Sequence, residues 1–190
     1  CNVYETDIMR TKSTPGEQSL NSIAGGILGF SLGANNLKIN NCQVVGRELD
    51  KDSENRNKIG VDCNGPAGIL GKTYSTKNLE ITNNKVKNMD IIDNQPVSRG
   101  GNYDDVGGII CFVNYTNYYG ENNTVDNCNL SGNKVYNAGG AYGTLYGNKA
   151  TIRNEKVINC NITNETTMSD NRQSNVTVGG LIGVANTEVV

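Results

Sequence analysis

Six cysteines, Cys1, Cys42, Cys63, Cys111, Cys128 and Cys160, are the residues of this 190-residue chain best equipped for chemistry. Thiolates bind metals, attack electrophiles and form disulfides. No histidine accompanies them. A structural zinc site needs four convergent Cys or His ligands, and no two of these cysteines make a C-x-x-C pair, so no metal set is expected. Carboxylates are the next resource, because polysaccharide-cleaving sites use acids with Arg or Lys beside a cleft. The candidates are Asp104, Asp105, Glu80, Lys38 and Arg153. They neither recur nor cluster, and the adjacent Asp104 and Asp105 point to opposite faces of an extended chain. We read them as solvated charges near turns. Asp50-Lys51-Asp52-Ser53-Glu54-Asn55 alternates oxygen-bearing side chains as the start of an EF-hand loop does. It lacks the glycine at position six and the acid at position twelve, where Val61 stands. No catalytic residue, metal or cofactor is assigned.

Tyrosines offer binding rather than reaction. Tyr115, Tyr118 and Tyr119 share one polar stretch, and Tyr142 and Tyr146 follow in the next repeat. Exposed rings stack on sugars or bury in a protein partner, so these five are the candidate binding residues. The competing reading is that they cover a flank of the fold. Six Asn-x-Ser/Thr sequons occur, at Asn114, Asn122, Asn129, Asn161, Asn164 and Asn175. They matter only where glycosylation machinery exists.

What must position these residues is a repeat. Gly25-Gly26-Ile27-Leu28-Gly29 returns as Ala67-Gly68-Ile69-Leu70-Gly71, Gly107-Gly108-Ile109-Ile110-Cys111, Gly139-Gly140-Ala141-Tyr142-Gly143 and Gly179-Gly180-Leu181-Ile182-Gly183. Self-similarity at this period marks stacked units. Between the doublets runs a second motif, seen as Ile39-Asn40-Asn41-Cys42-Gln43-Val44 and Val157-Ile158-Asn159-Cys160-Asn161-Ile162. Stacking is expected to align Cys1, Cys42, Asn84, Cys128 and Cys160 in one structural ladder. Beside it, Asn41, Asn83, Asn127 and Asn159 would form a ladder of side-chain amides at a bend. Cys128 would then lie near Cys160, and Cys1 near Cys42. In-register strands stand ~4.8 Å apart, wider than the ~3.8 Å between β-carbons of a relaxed disulfide. The thiols are therefore expected to pack as small apolar groups.

Short β-prone runs between Gly and Asn turns, with no sustained helical period, predict parallel strands paired with their equivalents in the next unit. The stretch from Asn114 to Asn122 reads as an insertion projecting from the third unit. The glycine doublets suit a corner where backbones crowd together. Only 36% of residues are hydrophobic, enough for a thin axial core, and the formal charge of −2 gives no footprint for nucleic acid or anionic lipid. No apolar run approaches the ~20 residues of a transmembrane helix.

The doublets followed by Ile-x-Asn-Cys segments resemble the GLUG repeat, a β-solenoid module of large secreted or surface-anchored bacterial proteins. The resemblance covers nearly the whole chain and is clearest at Gly179–Gly183 and Ile39–Val44. Pro66-Ala67 and Cys111 depart from it, and the units are longer than usual. The resemblance implies an all-β, right-handed parallel β-helix of about five coils, forming one domain over residues 1–190 within a longer array or assembly. It further implies an extracellular or cell-surface setting and no particular activity; such modules serve as stalks, spacers or adhesive regions, so we expect a structural or adhesive role and no enzyme. Implied partners are other copies or flanking repeats at the ends, and a glycan or protein at the loops. A filament subunit assembled head to tail is the alternative; a polysaccharide-active β-helix enzyme ranks below both.

Overall fold

The structure is a computed structural model that describes residues 1–9, 23–60, 63, 65–93, 105–132, 136–164 and 177–190, with the side chain of Tyr115 outside that set. Among these residues there is no helix, hence none long and apolar enough to cross a membrane. The nineteen strands of the described residues fall into four sheets, and every pairing is parallel.

Sheet I stacks Asn2–Tyr4, Gln43–Val45, Lys85–Lys87, Thr124–Asp126 and Lys156–Ile158. Sheet II holds Asn57–Ile59, Met89–Asp93, Asn129–Gly132 and Asn161–Asn164, extended by a bridge from Ile59 to Ile8. Sheet III holds Asp105–Gly107, Asn137–Gly139 and Thr177–Gly179. Sheet IV collects Leu28–Leu32 with Asn36–Asn40, Leu70–Tyr74 with Asn78–Thr82, then Ile110–Glu121, Tyr142–Arg153 and Ile182–Val189. Each unit visits the sheets in the same order, and the next unit lies beside it in register.

Side-chain alternation explains the core. In Gln43–Val45, Lys85–Lys87 and Thr124–Asp126 only the central valine is buried, and Val44, Val86 and Val125 stack on one another. Ile59, Ile91 and Leu130 do the same in sheet II. The outermost sheet I strands, Asn2–Tyr4 and Lys156–Ile158, bury less, because each has a neighbour on one side alone.

The doublets occupy equivalent places. Gly25 bridges Ala67, Ala67 bridges Gly107, and Gly107, Gly139 and Gly179 pair in turn. The second glycine is required by space. A Cβ on Gly26, Gly68, Gly108 or Gly140 would lie 2.1–2.2 Å from the carbonyl oxygen of the equivalent glycine in the next unit.

Two expectations change. The Asn-Cys motif does not form one column but two, at successive corners. Between sheets IV and I lie Asn41, Asn83, Asn122 and Asn154, all with positive φ, followed by Cys42, Asn84, Asn123 and Glu155, with Cys1 in register with Cys42. Between sheets I and II lie Asn88, Asn127 and Asn159, again with positive φ, and there Cys128 and Cys160 align with Met89. Asparagine tolerates the left-handed conformation that either corner demands, so the two corners look alike in sequence. Amide ladders form at both: Asn122 Nδ2 donates to Asn83 Oδ1 at 3.3 Å, and Asn127 Nδ2 to Asn88 Oδ1 at 2.8 Å. The second change follows from the first. The stretch from Asn114 to Glu121 is not a projecting loop; it is part of a strand paired with Asn78–Thr82 on one side and Tyr142–Arg153 on the other.

Candidate functional site

The tyrosines show how the sheets position the candidate side chains. Tyr118 is in register with Leu79 and Ala150, and Tyr142 with Ile110. Both therefore point inward, and both are buried. Their rings meet edge to face at 5.5 Å, and the Tyr118 hydroxyl donates to the Tyr142 hydroxyl at 2.9 Å. Room for them comes from Gly120, which replaces the Ile81 and Ile152 of neighbouring units and whose Cβ would lie 2.3 Å from the Tyr118 hydroxyl. Tyr119 is half-buried and donates to Glu121 Oε2 at 2.8 Å, a bond that raises its pKa. Tyr146 is 37% exposed. The Tyr115 side chain lies outside the described residues. The expectation of exposed binding rings is thus corrected for Tyr118 and Tyr142, which are core residues.

Their hydroxyls sit at the end of an internal polar line. Asn84 Oδ1 accepts the Cys42 amide at 2.9 Å, Asn123 Oδ1 the Asn84 amide at 3.0 Å, and Glu155 Oε1 the Asn123 Nδ2 at 2.8 Å. Burial raises the Glu155 pKa, tempered by the Asn123 amide and the Tyr142 hydroxyl, while Oε2 makes no hydrogen bond of full geometry. Burial, reinforced by the Glu155 charge, pushes both phenols well above their usual pKa. Tyr118→Phe is expected to lower stability by about 1–2 kcal/mol, the worth of one buried hydroxyl bond. Urea unfolding followed by circular dichroism measures this, and unchanged stability would contradict the placement.

Among the proposed catalytic charges, Lys38 and Glu80 form an exposed ion pair at 2.9 Å on neighbouring strands. Arg153 is in register with Glu121. Asp105 lies in the interior, where Oδ1 accepts from the Asn137 amide and side chain at 3.2 and 2.9 Å. Asp104 lies outside the described residues. Lys38 and Glu80 thus lie on the exposed surface and Asp105 in the interior. The Asp50–Asn55 segment is a turn closed by the Ser53 amide on the Asp50 carbonyl at 3.0 Å. Among the described residues no group of three or more His, Cys, Asp or Glu is arranged to hold a metal ion.

Two charged groups, apart from Asp105 itself, escaped the sequence reading because they unite residues of different units. Lys72, Asp93 and Asp105 are all buried around Cys111. The Gly65 amide donates to Asp93 Oδ2 at 3.1 Å, and the Cys111 thiol donates to the Asp105 carbonyl at 3.0 Å. Burial drives the Cys111 pKa well up, so this thiol is neutral and sealed from solvent. The usable signal was Lys72 itself, which stands in register with Phe30 and Phe112. The second group is Arg56, whose fully buried side chain donates to Asp90 at 2.7 Å and to the carbonyls of Leu49, Met89 and Asn127.

The two ends of the stack differ from its middle. Nine large hydrophobics are exposed among the described residues. Tyr4, Met9, Phe30 and Leu32 belong to the first unit, and Ile158, Val178, Val189 and Val190 to the last; Tyr146 alone of these nine lies between. An apolar recess of about 430 Å³ opens at the first unit, lined by Ile8, Met9, Ile23 and Ala24 among others. Comparison of the chain with known protein families, with curated proteins and with solved structures finds no match.

Proposed function

We propose that the chain is a right-handed parallel β-solenoid whose function is structural and adhesive, with its two ends serving as joining surfaces. The observation that carries this reading is the confinement of eight of the nine exposed large hydrophobics, among the described residues, to the first and last units. Those units also carry the unpaired strand edges, which recruit further strands. The right hand is supported by the general right-handedness of parallel crossover connections. The extracellular, cell-surface setting rests on the resemblance to GLUG repeats, as does the stalk or adhesin role. The separation of Lys38 and Glu80 from the buried Asp105 favours a non-catalytic protein.

Flanking repeats or further copies of the chain would cover such ends equally well, the latter giving a filament. Sedimentation velocity over a concentration series tests the shared premise. The chain is expected to form elongated, concentration-dependent oligomers, and the Leu32→Glu and Val178→Lys substitutions to return it to monomers. A chain that remains monomeric at high micromolar concentration would overturn the reading. Electron microscopy of the native material then separates a stalk from a filament.

A further inference from the structure

Cys128 and Cys160 are thiols of adjacent units standing in register, as Cys1 and Cys42 do at the other corner, and the half-buried Cys160 keeps solvent within reach. The backbone fixes them in register on both flanks: Asp126 pairs with Ile158 and Asn129 with Asn161. The Asn127 amide donates to the Ile158 carbonyl and the Asn161 amide to the Cys128 carbonyl, each at 3.0 Å. Their α-carbons therefore stand at about one strand spacing, ~4.8 Å, inside the ~4.4–6.8 Å range that a disulfide spans, and the bridge forms as the β-carbons close from that spacing toward the ~3.8 Å of a relaxed bond. Cys128 is buried, whereas Cys160 is half-buried. Cys160 Sγ also lies 3.2 Å from the Ile158 carbonyl and 3.6 Å from that of Val125. Both thiols are free.

We propose that Cys128 and Cys160 form a redox-responsive staple: a disulfide between the fourth and fifth units, made and broken by exchange with small disulfides. Cys160 is the attacking thiol. The neighbouring Cys128 thiol, which itself donates to the Asp126 carbonyl at 3.3 Å, lowers the Cys160 pKa to about 7, with Lys51 contributing positive charge. Burial and the same contact hold Cys128 well above the usual range, Arg56 opposing, so Cys128 stays protonated until Cys160 has reacted. In the first step Cys160 thiolate attacks one sulfur of glutathione disulfide, the glutathione S–S bond breaks, and one glutathione thiolate leaves. Its charge gone, Cys160 no longer raises the Cys128 pKa. The Cys128 sulfur attacks Cys160 Sγ, and its proton passes to the second glutathione as that thiolate is expelled. Two protein thiols lose two electrons, and one glutathione disulfide becomes two glutathiones.

The test incubates the folded 190-residue chain with glutathione disulfide near neutral pH and maps the products by mass spectrometry. The expected product is a cross-linked peptide pair containing Cys128 and Cys160, lighter by two hydrogens and restored by a reductant. With Cys128→Ala or Cys128→Ser, Cys160 is expected to stop at a stable glutathione adduct. With Cys160→Ser, Cys128 is expected to stay reduced while circular dichroism still reports the folded chain. A glutathione adduct that persists on Cys160 in the unsubstituted chain would overturn the proposal. So would a Cys160 that remains free after the exposed Cys1 has reacted.

Discussion

Gly108→Ala is expected to cost about 3–4 kcal/mol, near the top of the range for single substitutions. The new Cβ would lie 2.2 Å from the Gly140 carbonyl oxygen and 2.6 Å from a Val125 methyl. A carbonyl locked in a parallel sheet cannot rotate away as a side-chain tip can, so relief requires units three and four to separate. The matching substitution at Gly180, in the same column of the last unit, meets nothing within 4 Å. It is expected to change stability by less than about 1 kcal/mol, as a methyl added at an open site does. Urea unfolding of the two variants side by side is the measurement. Equal losses would show that glycine serves here for conformation rather than close approach. The column also links stability to assembly. A unit stacked on the last would meet a methyl added at Gly180 as Gly140 meets one added at Gly108.

Arg56→Ala is expected to be comparably damaging, about 3–5 kcal/mol, because it removes one partner from a buried ion pair. The Arg56 side chain is fully buried and its Nε lies 2.7 Å from Asp90 Oδ1. Its other nitrogens reach the carbonyls of Leu49 at 3.1 Å, Met89 at 3.4 Å and Asn127 at 2.6 Å. One guanidinium thus ties the polar segment before Asn57 to the next two units, and alanine would strand a carboxylate and three carbonyls. Asn129 still donates to Asp90 at 2.9 Å, so part of the carboxylate's solvation survives. Arg56→Lys is expected to fall between, since a single ammonium cannot reproduce the planar fork. Limited proteolysis within residues 47–55 should accelerate in the alanine variant alongside the loss in urea resistance. A loss below about 1 kcal/mol would mean that the clamp contributes little beyond the sheet itself.

These two residues illustrate what could be read along the chain. Gly108 was visible as one member of a repeated doublet, and its crowding is a consequence of repetition: the same atom of each unit meets the next. Arg56 was not visible. It belongs to no repeat, and its partners lie 34 and 71 positions away at Asp90 and Asn127. The tyrosines fall between these cases. Their proximity across units was legible from the period, but their direction was not. Whether Tyr118 faces in or out depends on the parity of the strand and on the space left by Gly120 and Ala150.

The period, the parallel all-β architecture and the need for glycine where backbones stack were all written in the linear chain, since each follows from residue types recurring at one spacing. The corner that each Asn motif occupies was settled by folding alone, because asparagine satisfies the left-handed turn at both. Folding also set Cys128 and Cys160 apart from the Cys42 column, turned Tyr118 and Tyr142 inward, and brought Lys72 to Asp93 and Asp105. Those outcomes depend on which residues of different units come into register, a property of the stack and not of any one stretch of chain.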